Sequence, residues 1–154
     1  MDKFMALAVA EALRGAKKHH GGPFGAVVVR KGKVVAKAHN RVVVTNDPTA
    51  HAEVLAIRAA AKKLKNFDLR DCVLYASCEP CPMCLAAIHW ARIKKVYFGS
   101  CSLDAKKIGF DDELFYEILN GKKKSPVKMV RVGAGKEYLV PLKFWAHDMK
   151  AKKY

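Results

Sequence analysis

Two short runs, Ala50-His51-Ala52-Glu53 and Glu79-Pro80-Cys81-Pro82-Met83-Cys84, constrain this chain more than any other feature, because each opens a segment of helical periodicity. Asp47-Pro48-Thr49 supplies N-cap chemistry ahead of the first, and Pro82 suits the first turn of the second, where its missing N–H is no loss. Cys81 and Cys84 project from neighbouring positions on one helical face, so both thiolates reach the same ion, and the helix dipole favours their anionic form. A neutral nitrogen from His51 completes three protein ligands and leaves the fourth tetrahedral position open, the arrangement of a catalytic Zn2+ site, one per chain. Glu53 is two residues from a ligand, so it is expected to shuttle protons at that position and not to bind the metal.

Two other readings use part of the same set. A structural zinc site closes with four ligands; no second close Cys pair is present, although Cys78 or another His could complete one. A redox Cys-x-x-Cys belongs near the first helix of a thioredoxin-like unit and gives His51 and Glu53 no role. Five cysteines make an odd number, and Cys72, Cys78 and Cys101 lie in or beside apolar runs, which points to buried thiols and a reducing cytosol.

No stretch approaches the roughly 20 uncharged apolar residues of a membrane span. The formal charge of +15, from 29 Lys plus Arg against 14 Asp plus Glu, attracts polyanions and keeps RNA among the partners to be tested. The lysines are nevertheless dispersed as Lys17-Lys18, Lys62-Lys63, Lys94-Lys95, Lys106-Lys107, Lys122 to Lys124 and Lys152-Lys153, as solvated faces would have them.

With 154 residues the chain is expected to form one domain, residues 1–154. Phe4, Leu7, Ala8 and Glu11 repeat at helical spacing and predict a first helix over residues 2–18, ended by Gly21-Gly22-Pro23. Residues 24–30 and 34–39 read as a hairpin across Lys31-Gly32-Lys33, and residues 50–65 as a helix. A strand over 72–76, a helix over 82–92 and a strand over 96–99 alternate as parallel α/β units do. A helix over 111–119, a strand over 127–132 and a helix over 142–150 follow. The expected fold is a three-layer α/β/α domain with a mixed sheet of about five strands and zinc between the two motif helices. His19, His20, His39, His89 and His147 are expected to pack or cap, and Phe144 and Trp145 to pack.

The His-x-Glu and Pro-Cys-x-x-Cys pair is similar to the signature of zinc nucleobase deaminases. Over nearly its whole length the chain resembles bacterial-type guanine deaminases of the cytidine deaminase superfamily. The resemblance is carried by Gly21-Gly22-Pro23-Phe24-Gly25-Ala26, Asn46-Asp47-Pro48-Thr49-Ala50-His51-Ala52-Glu53, Ser77-Cys78-Glu79-Pro80-Cys81-Pro82-Met83-Cys84, Gly109-Phe110-Asp111-Asp112 and Lys152-Lys153-Tyr154. The last two discriminate, because the zinc motif is shared across the superfamily.

That resemblance implies a cytidine-deaminase-like fold and zinc-dependent hydrolysis of guanine to xanthine and ammonia. It implies that Phe24 stacks on the purine, that Asn40 hydrogen-bonds it, and that Trp90 and Tyr154 belong to the substrate-binding set. Asp112 would stand near the amine at guanine C2 as a second proton carrier; a buried carboxylate there can pair with the N1–H and N2–H₂ edge, which adenine lacks. Asp111, Asp112 and Glu113 also suit a negatively charged first helical turn. The resemblance further implies a homodimer exchanging the C-terminal segment 139–154 and laying Tyr154 over the neighbour's pocket.

Ala87-Ile88-His89-Trp90-Ala91-Arg92-Ile93 and Val96-Tyr97-Phe98-Gly99 partly resemble tRNA adenosine deaminases instead. Adenosine-to-inosine deamination in tRNA is therefore the alternative activity, and another aminated base or nucleoside comes third. From a different class, a zinc-stabilised nucleic-acid-binding module without turnover would account for the motif and the charge together.

Overall fold

The computed structural model describes residues 2–133, 135–150 and 152. Helix α1 (Lys3–Lys17) starts where the Asp2 carboxylate accepts the N–H groups of Phe4 at 2.8 Å and Met5 at 3.2 Å. Its buried stripe is Ala8, Glu11, Ala12 and Gly15, small residues apart from one carboxylate. They let the helix lie close on strand β1 (Gly25–Arg30), where a Cβ added at Gly25 would stand 2.2 Å from the Ala8 carbonyl oxygen.

β1 reads Gly-Ala-Val-Val-Val and is buried along that whole run, as a central strand covered on both faces must be. It pairs antiparallel with β2 (Lys33–His39) across Lys31 and Gly32, both at positive φ as a tight two-residue hairpin turn requires. On its other side it pairs antiparallel with β3 (Cys72–Cys78), which pairs parallel with β4 (Lys95–Ser100); the sheet order is β2-β1-β3-β4.

Alternation along β1 builds the layers. Val27 and Val29 face α1 with Ala8, Phe4, Met5 and Tyr75. Ala26 and Val28 join Leu74 from β3 against helices α3 (Ala52–Leu64) and α4 (Pro82–Trp90), through Ala56, Ile57, Ala60 and Ile88. Val27 and Val28 are fully buried, each worth about 1.5–3 kcal/mol of apolar transfer. The expected three-layer α/β/α fold and mixed sheet are borne out. No described helix is long and apolar enough to cross a membrane.

The sheet has four strands and not about five. Residues 127–132 form no ladder among the described residues, and Val127, Met129, Val130 and Val132 are exposed. A strand-type pattern becomes a strand only beside an edge to pair with, and this segment lies in an arm whose helix α7 (Val140–His147) packs chiefly on the 3-10 turn Lys136–Leu139 before it. Two short helices were not expected: α2 (Val42–Thr45) inside the polar loop after β2, and α5 (Ser102–Lys106) after β4. The next helix, α6 (Glu113–Leu119), begins two residues later than its acidic run suggested.

Candidate active site

Because β3 and β4 run parallel, the helices α3 and α4 begin at the C-terminal end of the sheet, where an open α/β sheet places its sites. The Asp47 carboxylate accepts the Thr49 N–H at 2.8 Å and its hydroxyl at 2.6 Å, which turns the chain into His51, the N-cap of α3. Cys81 is the N-cap of α4, with Pro82 behind it in the first turn. Both caps have extended backbone, so their side chains point back toward each other across the ends of the helices.

The result is a convergent donor set. His51 Nδ1 lies 3.6 Å from Cys81 Sγ and 3.5 Å from Cys84 Sγ, and the three donor atoms all lie within 4.8 Å of one another. These separations match the edge of a tetrahedron with zinc–sulfur and zinc–nitrogen bonds, about 3.5 Å. The residues therefore fit zinc, with His51 offering Nδ1, and the five cysteines are all free thiols. A hydrogen bond from Cys84, aided by His51, lowers the Cys81 thiol to about 4, whereas the partnership with Cys81 and burial push Cys84 up. The hydrogen bond with Cys81 raises His51.

Glu53 sits in the first turn of α3, 6% exposed, and accepts a hydrogen bond from the Cys84 thiol on Oε2 at 3.4 Å. Burial pushes its carboxyl above the ordinary range. It adjoins the metal donors through Cys84.

In front lies a cavity of about 770 Å³ whose walls include Phe24, His51, Glu53, Cys81, Phe110 and Asp112. Phe24 meets Phe110 edge-on, centroids 4.9 Å apart at 82°. Lys106 pairs with Asp111 at 3.3 Å and with Glu113, so the carboxylates on either side of Asp112 are engaged in ion pairs, although Asp111 also lines the cavity. Asp112 itself lines the cavity, and burial, followed by the charges of Cys81, Asp111 and Glu79, raises it.

Asn40 is 3% exposed, and its Oδ1 accepts the N–H groups of Gly22 at 3.2 Å and Val42 at 3.1 Å. Trp90 is placed away from the cavity, at the far end of α4 from Cys81 and 64% exposed. Tyr154 lies outside the described residues. Two wall residues had been given no role from sequence. Glu79 accepts the Ser102 N–H on Oε2 at 3.0 Å and so anchors α5, and Phe110 supports Phe24; both stood inside quoted motifs, which was the available signal.

Residues 1–100 match the family described as the cytidine and deoxycytidylate deaminase zinc-binding region. The chain belongs to this family. It is accordingly a zinc-dependent deaminase, a hydrolytic enzyme, and His51, Cys81 and Cys84 are the group that could hold its zinc. The deaminase is 45% identical to guanine deaminase of Bacillus subtilis (strain 168), over 99% of this chain and 98% of that one. The X-ray structure of a Bacillus subtilis guanine deaminase superposes with a TM-score of 0.93 at 43% identity, covering 100% of this chain and 99% of the other. The tRNA-specific adenosine deaminase of Aquifex aeolicus (strain VF5) is 44% identical over 70% of each chain.

Proposed function

We propose that this deaminase converts guanine and water to xanthine and ammonia. The observation that carries the reading is Asp112 on the wall of the cavity that His51, Glu53 and Cys81 also line, in a chain similar end to end to a guanine deaminase. When held by His51, Cys81 and Cys84, zinc supplies the Lewis acidity that brings water toward ionisation at neutral pH.

The chain's own residues do the rest. Phe24, braced by Phe110, offers its face to the purine ring. Asn40 spends Oδ1 on Gly22 and Val42, which leaves its amide N–H₂ to donate to the base. Asp112 pairs with the N1–H and N2–H₂ edge and handles protons near the C2 amine. Glu53, in its water-poor recess, holds a proton taken from water, gives it to the ring nitrogen, and later delivers one to the departing amine. The free thiols suit a reducing cytosol.

Ammonia release from guanine, guanosine, adenine, cytosine and unmodified tRNA, each assayed with the zinc-loaded full chain, tests the reading. Turnover of guanine alone is expected, nearly independent of salt because the substrate is neutral. Turnover of tRNA alone, weakening steeply as salt rises, would overturn it and make the +15 charge the better guide.

The same reading includes a homodimer of 154-residue single-domain protomers in which segment 139–154 crosses to the partner and brings Tyr154 to its cavity. Two features of the protomer support it: Leu142, Phe144 and Trp145 of α7 are exposed together, and the cavity is flanked on its outer side by the apolar Leu114, Leu119 and Val127. A chain ending at residue 138 is expected to sediment as a monomer and to lose about 10²-fold in kcat/KM for guanine, the scale of loss when a reacting geometry is no longer enclosed. An unchanged oligomeric state with unchanged activity would refute the exchange. Trp90 keeps a substrate role in this reading only at such a subunit contact, given its exposure.

A further inference from the structure

The reaction above leaves a buried acid and two histidines unused. Glu11 on α1 and His39 at the end of β2 are 4% and 3% exposed, and His39 Nδ1 lies 3.2 Å from Glu11 Oε2. On the other side of the ring, His39 Nε2 lies 2.9 Å from Nδ1 of half-buried His20. The carboxylate at the head of this chain is fully engaged, since Oε1 also takes Lys37 at 3.0 Å and Arg14 at 3.4 Å. Burial alone would raise the Glu11 carboxyl; the hydrogen bonds from His39 and Lys37 and the positive charges of Arg14 and Lys37 outweigh it and hold the group below its usual range, ionised. Gly15 makes room for the His39 ring, which a Cβ there would meet at 2.6 Å.

The far end of the chain leads to the cavity. The His20 carbonyl accepts the N–H groups of both Val43 and Val44 at 3.1 Å, and Val42 N–H goes to Asn40, the residue after His39. The first free N–H groups of α2 are thus held by His20 and Asn40 alone among the bonds described. One residue beyond His20, the loop packs against Asn40 at Gly21; then Gly22 lies under the Phe24 and Phe110 rings, within 3.0 Å of where a Cβ would be.

We propose that Glu11, His39 and His20 are positioning residues: a hydrogen-bonded chain that fixes the loop bearing Phe24 and the α2 turn beside it, and that lets both go when the two histidines are cationic together. The proton arithmetic is simple. His39 Nδ1–H donates to ionised Glu11, and the facing nitrogens of His39 and His20 share one hydrogen between them. Taking up one proton leaves the bond intact, because the facing nitrogens still hold one hydrogen while the pair carries one charge; taking up a second puts hydrogens on both facing nitrogens, the bond is lost and two cations face each other. The charged groups around the pair are Glu11, Arg14 and Lys18 from α1 and its end, Lys37 from β2, and Arg41 in the following turn. Burial, then the charges of Arg41, His39, Lys18 and Arg14, lowers His20 below the ordinary histidine value of about 6.5. The folded protein thus binds that proton less readily than the unfolded chain: the contact is complete above about pH 6.5 and is lost as pH falls through the lower folded value.

The inference rests on the guanine reading only for its kinetic consequence, so the experiment has two arms. Hydrogen–deuterium exchange of residues 21–24 and 42–45 in the zinc-loaded full chain, corrected for the intrinsic pH effect, is expected to quicken as pH falls from 7.5 to 5.5. In His20→Asn the same segments should exchange fast already at pH 7.5 and lose the pH dependence. In parallel, His20→Asn should lower kcat/KM for guanine about fivefold, mainly through KM, the worth of one ordinary hydrogen bond. Glu11→Gln, which keeps an acceptor for His39 but removes the anion that favours cationic histidines, should move the acid limb of 1/KM downward in pH. Wild-type exchange and KM in His20→Asn at pH 7.5 would overturn the proposal. A wild type that keeps the pH-dependent exchange but turns over no guanine would sink the substrate reading and leave the positioning chain standing.

Discussion

Glu53→Gln is expected to retain one zinc per chain and to release ammonia from guanine about 10²- to 10⁴-fold more slowly, the range lost when a positioned acid–base group is removed. The substitution preserves the volume of the side chain in its buried place, so the recess should not rearrange. What it removes is the ability to hold and return a proton. Glu53 suits that task because burial keeps its carboxyl above the ordinary range and so closer to neutrality, where proton uptake and release are both accessible. Zinc content by elemental analysis, with kcat for guanine, checks the point. Full turnover with zinc bound would sink the shuttle role, and loss of zinc would show that Glu53 helps hold the metal.

Much of this site was legible because its chemistry is local. His51 and Glu53 are two residues apart and Cys81 and Cys84 three, each pair at a helix start announced by Pro48 or Pro82, so spacing alone placed the donors on facing ends. Local periodicity likewise gave α1, the hairpin, α3 and the β3-α4-β4 unit, with ends displaced by a few residues. By itself the sequence favoured first-turn charge for Asp112, and only the family resemblance gave it a place beside the substrate. The structure put Asp111 and Asp112 on the cavity wall and left Glu113 off it, and of the two it gave Asp111 an ion pair with Lys106.

What escaped the sequence is long-range. Residues 127–132 carry a strand pattern, but a strand exists only with a neighbour, and β4 forms the sheet edge with its residues largely exposed. Trp90 lies on the right helix at the wrong end for the protomer's cavity, which a motif cannot reveal. Most telling are His20 and His39, expected to be ordinary packing histidines. They are separated by nineteen residues from each other, and His39 by twenty-eight from Glu11, so no local pattern joins them; the close approach of α1 to the sheet at Gly15 and Gly25 does.

Withdrawing zinc with a chelator is expected to abolish turnover, by at least about 10³-fold given the several kcal/mol a Lewis acid contributes to the barrier, while the far-ultraviolet circular dichroism of the helices and sheet stays near that of the loaded protein. The reason lies in where the core is. Val27 and Val29 against α1, and Val28, Leu74, Ala56 and Ile57 on the other face, are buried by contacts independent of the donor set. Metal-free protein should melt at a lower temperature, because a ligand bound only by the folded state stabilises it, but it should remain folded at 25 °C and regain activity on adding zinc back. A zinc-stabilised module would behave in the opposite way, since its metal supplies the folding free energy and its chelated form is a disordered chain. Unfolding on chelation would therefore transfer the metal from the chemistry to the scaffold, whatever the activity of the loaded protein.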